Sequence, residues 1–348
     1  MSKVIAPFVL LPAAVAAAYF ILGHFAISGT QSRLDEICSY SAGDAISHLL
    51  LPYTSSPTIN ERLCGLVEIF HGGMATPDAT FFTSSFAVWF APICFFILVE
   101  AARPRQCLML TSSMVVGILY QVGTAGAITS LYWLVFVLFS NYRTTDTTRT
   151  QPLAKGIPTK AHAEAITFGF LAGAVIPTIA LLNMQDPYVT VLWQPFPIYV
   201  AVFYHLHLLF RTPSNHATSG FPLIQAMYII IFVLASSFHF ATIWPRFGDW
   251  EILKTLFVPS IDPVPQVTDS ASIAAAALHL LQYDAIFSVG SSMVGTLWFA
   301  SSFTQALRVV VWYIISVPVC GPSAALATVF LWRESGLARE DAPLKKVQ

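Results

Sequence analysis

Charge is scarce in this chain. Only 10% of its 348 residues are Asp, Glu, Lys or Arg, and 17 basic against 18 acidic side chains leave a formal net charge of −1. Soluble proteins carry about 25% charged residues. With no basic or acidic surplus, there is no electrostatic footprint for nucleic acid or for an acidic macromolecular partner. The chain also has no P-loop, GxSxG, HExxH or GxGxxG in a βαβ setting, which removes the common ATP-driven, hydrolase and nicotinamide chemistries. It lacks a DDxxD or NDxxD aspartate cluster for magnesium-diphosphate and a DxDD tetrad. Five cysteines (Cys38, Cys64, Cys94, Cys107, Cys320) show no CxxC or Cys/His spacing. No metal and no cofactor are therefore expected.

Apolar residues take the place of charge, at 56% of the chain. They come in blocks of roughly twenty, the length one helix needs to cross a hydrocarbon core of about 30 Å. The sequence thus predicts an all-α, polytopic transmembrane helix bundle of about eight or nine spans. One helical domain covers 1–332, and 333–348 is a polar C-terminal tail. The first block, Val4 to Ile27, is longer than a signal-peptide core and reads as a retained span. Further blocks are Phe81 to Ala101, Cys107 to Ser140, Glu164 to Leu182, Val189 to Phe210, Phe221 to Trp244, Ser272 to Ala300 and Val309 to Trp332. The third would measure roughly 51 Å as one helix, so it should break, with Gly123-Thr124-Ala125-Gly126 as the hinge. The flanking basic stretches, Arg103/Arg105 and Arg143 to Lys160, then share a compartment. Over the whole chain Lys and Arg divide almost equally, which leaves orientation undecided. No internal repeat is apparent.

Between the first two spans lies a polar loop, 28–80, interrupted by the semi-apolar segment Leu63 to Ala75. That segment is too short to span and reads as a re-entrant or interfacial helix. Cys38 and Cys64 share this loop. They form a disulfide if it faces an oxidising lumen and stay unpaired thiols otherwise.

A carboxyl group in hydrocarbon costs about 2.5–3.5 kcal/mol on insertion scales, so one kept at mid-span calls for a role. Asp284 is the leading case, near the middle of a long apolar block. Its neutral, proton-carrying form is what a general acid needs; the plainer alternative is a hydrogen bond to a neighbouring helix. Glu68 is the second candidate, three residues before His71 and on the same helical face. Glu100 beside Arg103 reads as a boundary ion pair. His205 and His207 point to different helix faces and cannot jointly chelate a metal. His239 could orient an acid or meet a substrate oxygen, with helix packing the plainer reading. Tyr204, Tyr228, Phe238, Trp298 and Trp312 stand inside spans, where rings can stabilise a carbocation or simply fill the core.

Four ordered segments carry a resemblance: Gly117-Ile118-Leu119-Tyr120-Gln121 leading into Leu131-Tyr132, Ala174-Val175-Ile176-Pro177-Thr178, Trp193-Gln194-Pro195-Phe196-Pro197, and Leu281-Gln282-Tyr283-Asp284. Together, from about residue 80 onward, they resemble the fungal membrane terpene cyclases of meroterpenoid pathways, of the macrophorin and ascochlorin type. The resemblance implies metal-independent cyclisation, begun by protonating an epoxide or terminal alkene of a prenylated aromatic or polyketide. Asp284 and Glu68 are then the expected proton donors. His71, Tyr120, Gln121, Trp193, Tyr204, His239, Gln282 and Trp298 are the expected substrate-binding residues. The implied partners are a small lipophilic prenylated substrate, membrane lipid and other pathway enzymes, and the implied location is the endoplasmic reticulum. The alternative is a transporter or export facilitator for a small lipophilic metabolite, with the same groups as a proton relay. A non-catalytic membrane scaffold is a third class.

Overall fold

Several helices in this chain, among them those after Thr76, Thr159, Asp269 and Ser302, start at side chains that satisfy orphan backbone N–H groups. The computed structural model describes residues 2–41, 46–103, 112–140, 156–216 and 218–341. Over these residues the fold is helical, with a single isolated bridge between Thr159 and Ser219. The first helix, α1 (Lys3–Ile27), carries a π-turn at Tyr19–Gly23. After α2 (Thr30–Ile37) and α3 (Pro57–Gly72), α4 (Pro77–Ala101) begins where Thr76 caps the Ala79 N–H. The short pair α5 (Ser113–Gly123) and α6 (Ala125–Phe139) follows, then α7 (Lys160–Met184), α8 (Pro187–Trp193), α9 (Phe196–Phe210) and α10 (Phe221–Arg246). The chain ends through α11 (Trp250–Phe257), α12 (Ser270–Phe299), α13 (Phe303–Cys320) and α14 (Pro322–Asp341). A capping box between Asp269 and Ser272 starts α12.

Among the described residues six helices are long and apolar enough to cross a membrane: α1, α4, α7, α10, α12 and α13. The α8–α9 pair, bent by 55°, makes a seventh. The expected eight or nine is therefore not reached among the described residues by length and composition, for two reasons. The hinge at Thr124 is real, but it leaves α5 and α6 with 11 and 15 residues, roughly 17 and 23 Å against a core of about 30 Å. The block Val309 to Trp332 is likewise two helices, because Gly321 turns the chain at φ +88°. Nor does a polar tail begin at Arg333: α14 runs on to Asp341 and buries Arg333 and Glu334. Residues before Ser112 in the Cys107–Ser140 block, Arg105, the basic stretch up to Lys155 and the chain after Asp341 lie outside the described residues.

Hydrogen bonds identify the two ends of the bundle. At one end Lys3 Nζ donates to the carbonyls of Leu138 and Ser140, and Trp298 Nε1 to that of Ser2. Beside them Glu100, Arg103, Arg333 and Glu334 form a buried ion quartet, with Arg103 also donating to the Gly156 carbonyl. Arg333 lies over the rings of Phe96, Phe136 and Phe299. Four charges of balanced sign, each solvated by its neighbours, allow charge to persist where water is excluded. At the other end Cys38 and Cys64 are bonded, with Cα atoms 5.7 Å apart, which answers the question that spacing left open. The basic end also gathers Lys160, Arg211, Arg308 and Arg339. The disulfide end holds Arg33, Arg62, Arg246 and Lys254 among many more acids. Among the described residues Lys and Arg are thus more numerous at the basic end than the even division expected from sequence, because the Gly321 turn brings the last helix, with Arg333, back to the side of Arg103.

Candidate functional site

Asp284 stands midway along α12 and is 7% exposed. It does not face lipid. Its Oδ1 accepts the Gly126 N–H at 2.5 Å and its Oδ2 the Ala125 N–H at 3.3 Å. Those are the first free N–H groups of α6, whose own cap position, Thr124 at φ +68°, makes no side-chain cap. A carboxylate from a helix 158 residues away in sequence therefore caps the tip of the α5–α6 hairpin deep in the bundle. Gly126 is required for that approach: a Cβ there would lie 2.9 Å from Phe287 Cβ and 3.1 Å from Asp284 Oδ1. Below the tip α6 and α12 stay zipped by Ser130–Ser291 at 2.5 Å and by Trp133 Nε1 donating to Ser292 Oγ at 3.0 Å. The arrangement combines a sequestered carboxyl group with a helix N-terminus that stabilises the anion left when its proton departs.

The neighbouring residues of Leu281-Gln282-Tyr283-Asp284 fasten a different element. Gln282 Nε2 donates to the carbonyls of Thr255 and Leu256, both at 2.8 Å, and so caps the C-terminus of α11. Tyr283 Oη donates to the Ser260 carbonyl at 2.8 Å. Held this way, α11 turns Leu253, Leu256 and Phe257 inward. Phe257 lies 5.3 Å from Trp89 and 5.7 Å from Phe82, ring centre to ring centre. Phe86 and Phe90 continue this aromatic wall along α4, and Tyr120 meets Phe90 edge-on at 5.3 Å. The Tyr120 hydroxyl and the Gln121 amide nitrogen are buried without a protein partner. Buried polar atoms in that state mark a place where a ligand or water completes the bonding.

Glu68 and His71 stand nearer the disulfide end, on α3, whose Gly72 abuts Ala277 of α12. Ala277 is about 10 Å along the helix axis from Asp284. The two share a helix face but not a hydrogen bond: Glu68 accepts from the Ser47 hydroxyl, while His71 Nε2 meets Thr190 Oγ1 at 3.2 Å. Because the Thr190 hydroxyl donates its one proton to the Asp186 carbonyl, His71 Nε2 must carry the hydrogen of its bond. Trp193 packs edge-on against Phe70 at 4.9 Å and donates to Thr178 Oγ1 at 3.0 Å. The structure thus places Asp284, Tyr120 and Gln121 at the re-entrant tip and Gln282 at the junction with α11, with Glu68, His71 and Trp193 toward the disulfide end.

Three expected residues stand apart. Tyr204 Oη is engaged by His162 Nδ1 at 2.7 Å, which ties α9 to α7. His239 Nε2 donates to the Pro318 carbonyl at 3.0 Å and packs on Gly321, the plainer packing role. Trp298 is fully buried at the basic end, about 21 Å along the axis from Asp284. Sequence reading in turn passed over Arg333 and Glu334, whose partners Glu100 and Arg103 lie 233 and 231 residues away. It also passed over His24 and His279, whose ring nitrogens meet at 3.0 Å. Spacing along the chain carries no signal for either set.

The model of the CtvD domain matches residues 5–337. Among curated proteins, the terpene cyclase ascI of Acremonium egyptiacum is 28% identical over 210 residues, 56% of this chain and 53% of that protein. The chain spans about half the length of the curated relative it matches. No solved structure matches it. The family match takes in the re-entrant hairpin, the Leu281–Asp284 junction and the ion quartet alike, and the chain belongs to the CtvD-domain family.

Proposed function

We propose that this protein is a membrane terpene cyclase of the endoplasmic reticulum that closes rings on a prenylated aromatic or polyketide. The observation that carries the reading is Asp284, sequestered beside an aromatic wall with the N-terminus of α6 aimed at its carboxylate. The Asp284 carboxyl gives its proton to an epoxide oxygen or terminal alkene. In the epoxide case the C–O bond breaks and a carbocation forms, with the new hydroxyl retaining the proton. Neighbouring π electrons attack the cation, the ring closes, and loss of a proton from carbon ends the sequence with no net change in composition. Phe86, Trp89, Phe90, Tyr120 and Phe257 present ring faces of the kind that stabilise the moving charge. Exclusion of water from this apolar interior keeps the cation from being trapped early. Glu68, His71 and Trp193 hold the polar end of the substrate near the disulfide end of the bundle.

The 28% identity to the terpene cyclase ascI supports the reaction class. The test is product analysis after the chain is expressed alone in microsomes and given prenylated substrates and their epoxides. A cyclised isomer of unchanged mass is expected. Movement of intact substrate across sealed vesicles, with no isomer formed, would favour the transport reading and overturn this one.

A further inference from the structure

A cleft of about 260 Å³ lies between α13 and α14, lined by Gln305, Arg308, Val309, Trp312, Thr328, Val329 and Trp332. Arg308 is exposed five residues into a membrane span, about 7.5 Å from its start. Among the described residues it has no ion-pair partner. A cation at that depth snorkels toward the headgroup layer. No carboxylate lines the cleft, and its polar groups point the same way chemically. Gln305 Oε1 is already taken by the N–H and hydroxyl of Ser301, both at 2.8 Å, so the side chain offers its NH₂. The Thr328 hydroxyl and the Trp312 indole are spent on the carbonyls of Ala324 and Ala325. What remains is a set of donors, from Arg308, Gln305 and Trp332, above apolar walls of Val309, Val329 and the face of Trp312. On the adjoining face of α13 Leu307, Val311, Ile314 and Ile315 are exposed, so the Arg308 edge of the cleft borders an outward apolar surface.

We infer that this cleft is a binding site for an anionic phospholipid, its phosphate on Arg308 and Gln305 and an acyl chain along Val309, Trp312 and Val329. Charge complementarity selects the anionic headgroup, and the lipid-facing walls select a ligand with a chain. Arg308 lies at the end of the bundle that holds Lys3, Arg103 and Arg333, the end the positive-inside rule directs to the cytoplasmic leaflet, where anionic lipids concentrate. The proposal does not rest on the cyclase reading, and its test does not use turnover.

The detergent-purified full chain is titrated with phosphatidic acid, with phosphatidylcholine of the same acyl chains, and with glycerol 3-phosphate. Retained lipid is read by native mass spectrometry and stabilisation by thermal unfolding. Phosphatidic acid is expected to be retained and to raise Tm, while the other two do neither. Arg308→Gln should weaken retention about fivefold, the worth of one basic residue at a membrane surface. Val329→Trp, which fills the cleft, should do the same, whereas Arg339→Gln at the same end leaves retention unchanged. Equal retention of phosphatidylcholine, an equal shift from glycerol 3-phosphate, undiminished retention in Arg308→Gln, or an equal loss in Arg339→Gln would each overturn the site.

Discussion

Gln282 and Asp284, two residues apart on one helix, cap opposite ends of two other helices. Gln282 donates to the last carbonyls of α11, and Asp284 accepts from the first N–H groups of α6. Tyr283 between them holds the Ser260 carbonyl. A run of three residues thereby joins a surface segment, a central span and a re-entrant tip. The same polar groups that a membrane interior penalises are here matched to helix termini that need them.

The double role of Asp284 predicts a separable pair of variants. Asparagine caps a helix about as well as aspartate, so Asp284→Asn should accumulate normally while losing activity by about 10²–10⁴-fold, the range for a lost general acid. Asp284→Ala loses the cap as well and should destabilise the chain by about 0.5–2 kcal/mol. Product yield and thermal unfolding of both variants check this. Normal turnover in Asp284→Asn would remove the residue from the chemistry and leave it a cap alone.

Replacing Gln282 by leucine keeps its bulk but strands two carbonyls, each costing about 1–3 kcal/mol when buried unpaired. The expected result is local, with faster hydrogen exchange and proteolysis across 250–262 while the protection of α6 is unchanged. If exchange in α11 is unaltered, the amide is not what holds that helix down.

Much of this was legible in the sequence, and the exceptions share a cause. Block length gave the helical membrane bundle, glycine placement gave the hinge before α6, and a lone acid in an apolar run gave Asp284. What failed depended on partners far away in the chain. Trp332, Arg333 and Glu334 follow one another, yet nothing local shows that the last two are neutralised by Arg103 and Glu100. Gly321 reads as an ordinary residue within an apolar block until its positive φ splits the span. The role of Asp284 as a cap was equally hidden, because α6 has no capping residue of its own at Thr124.

The ion quartet should respond sharply to single changes. Glu334→Gln leaves two guanidinium groups facing one carboxylate in a site where Glu100 and Glu334 are fully buried. Breaking a buried ion pair in this way costs about 3–5 kcal/mol. A large fall in Tm and in yield is expected, partly restored by a second change, Arg103→Gln, that rebalances the charge. A double variant no better than the single one would show that charge balance is not what the quartet supplies.

Charge and disulfide together predict orientation. The Cys38–Cys64 bond, closing a loop over a sequence separation of 26, belongs on an oxidising side, and the Lys3–Arg103–Arg333 end on the cytoplasmic side. Glycosylation acceptors placed within 28–56 should be modified, and those placed after 341 should not; the reverse pattern overturns the assignment. Cys38→Ser with Cys64→Ser should cost about 2–4 kcal/mol of stability, as a shift in Tm that reductant reproduces in the parent chain.

His71, outside the spanning helices, gives the pH dependence. Burial pushes its imidazole below the ordinary value of 6.5, and His48 adds to this, against an upward pull from Asp186. On acidification the unfolded chain therefore takes up the proton first. Between about 6.5 and the lower folded value the unfolded state holds more protons, so stability falls as pH falls through that window and is fully present above it. His71→Gln, which can still donate to Thr190, should flatten this part of the Tm–pH curve and leave the plateau above pH ~7.5 little changed. The comparison with the parent isolates His71 from the other histidines, since only its own proton is removed from the balance. Identical slopes in the two proteins would mean that His71 is equally free to titrate folded or unfolded, and its bond to Thr190 would then contribute nothing to the pH response.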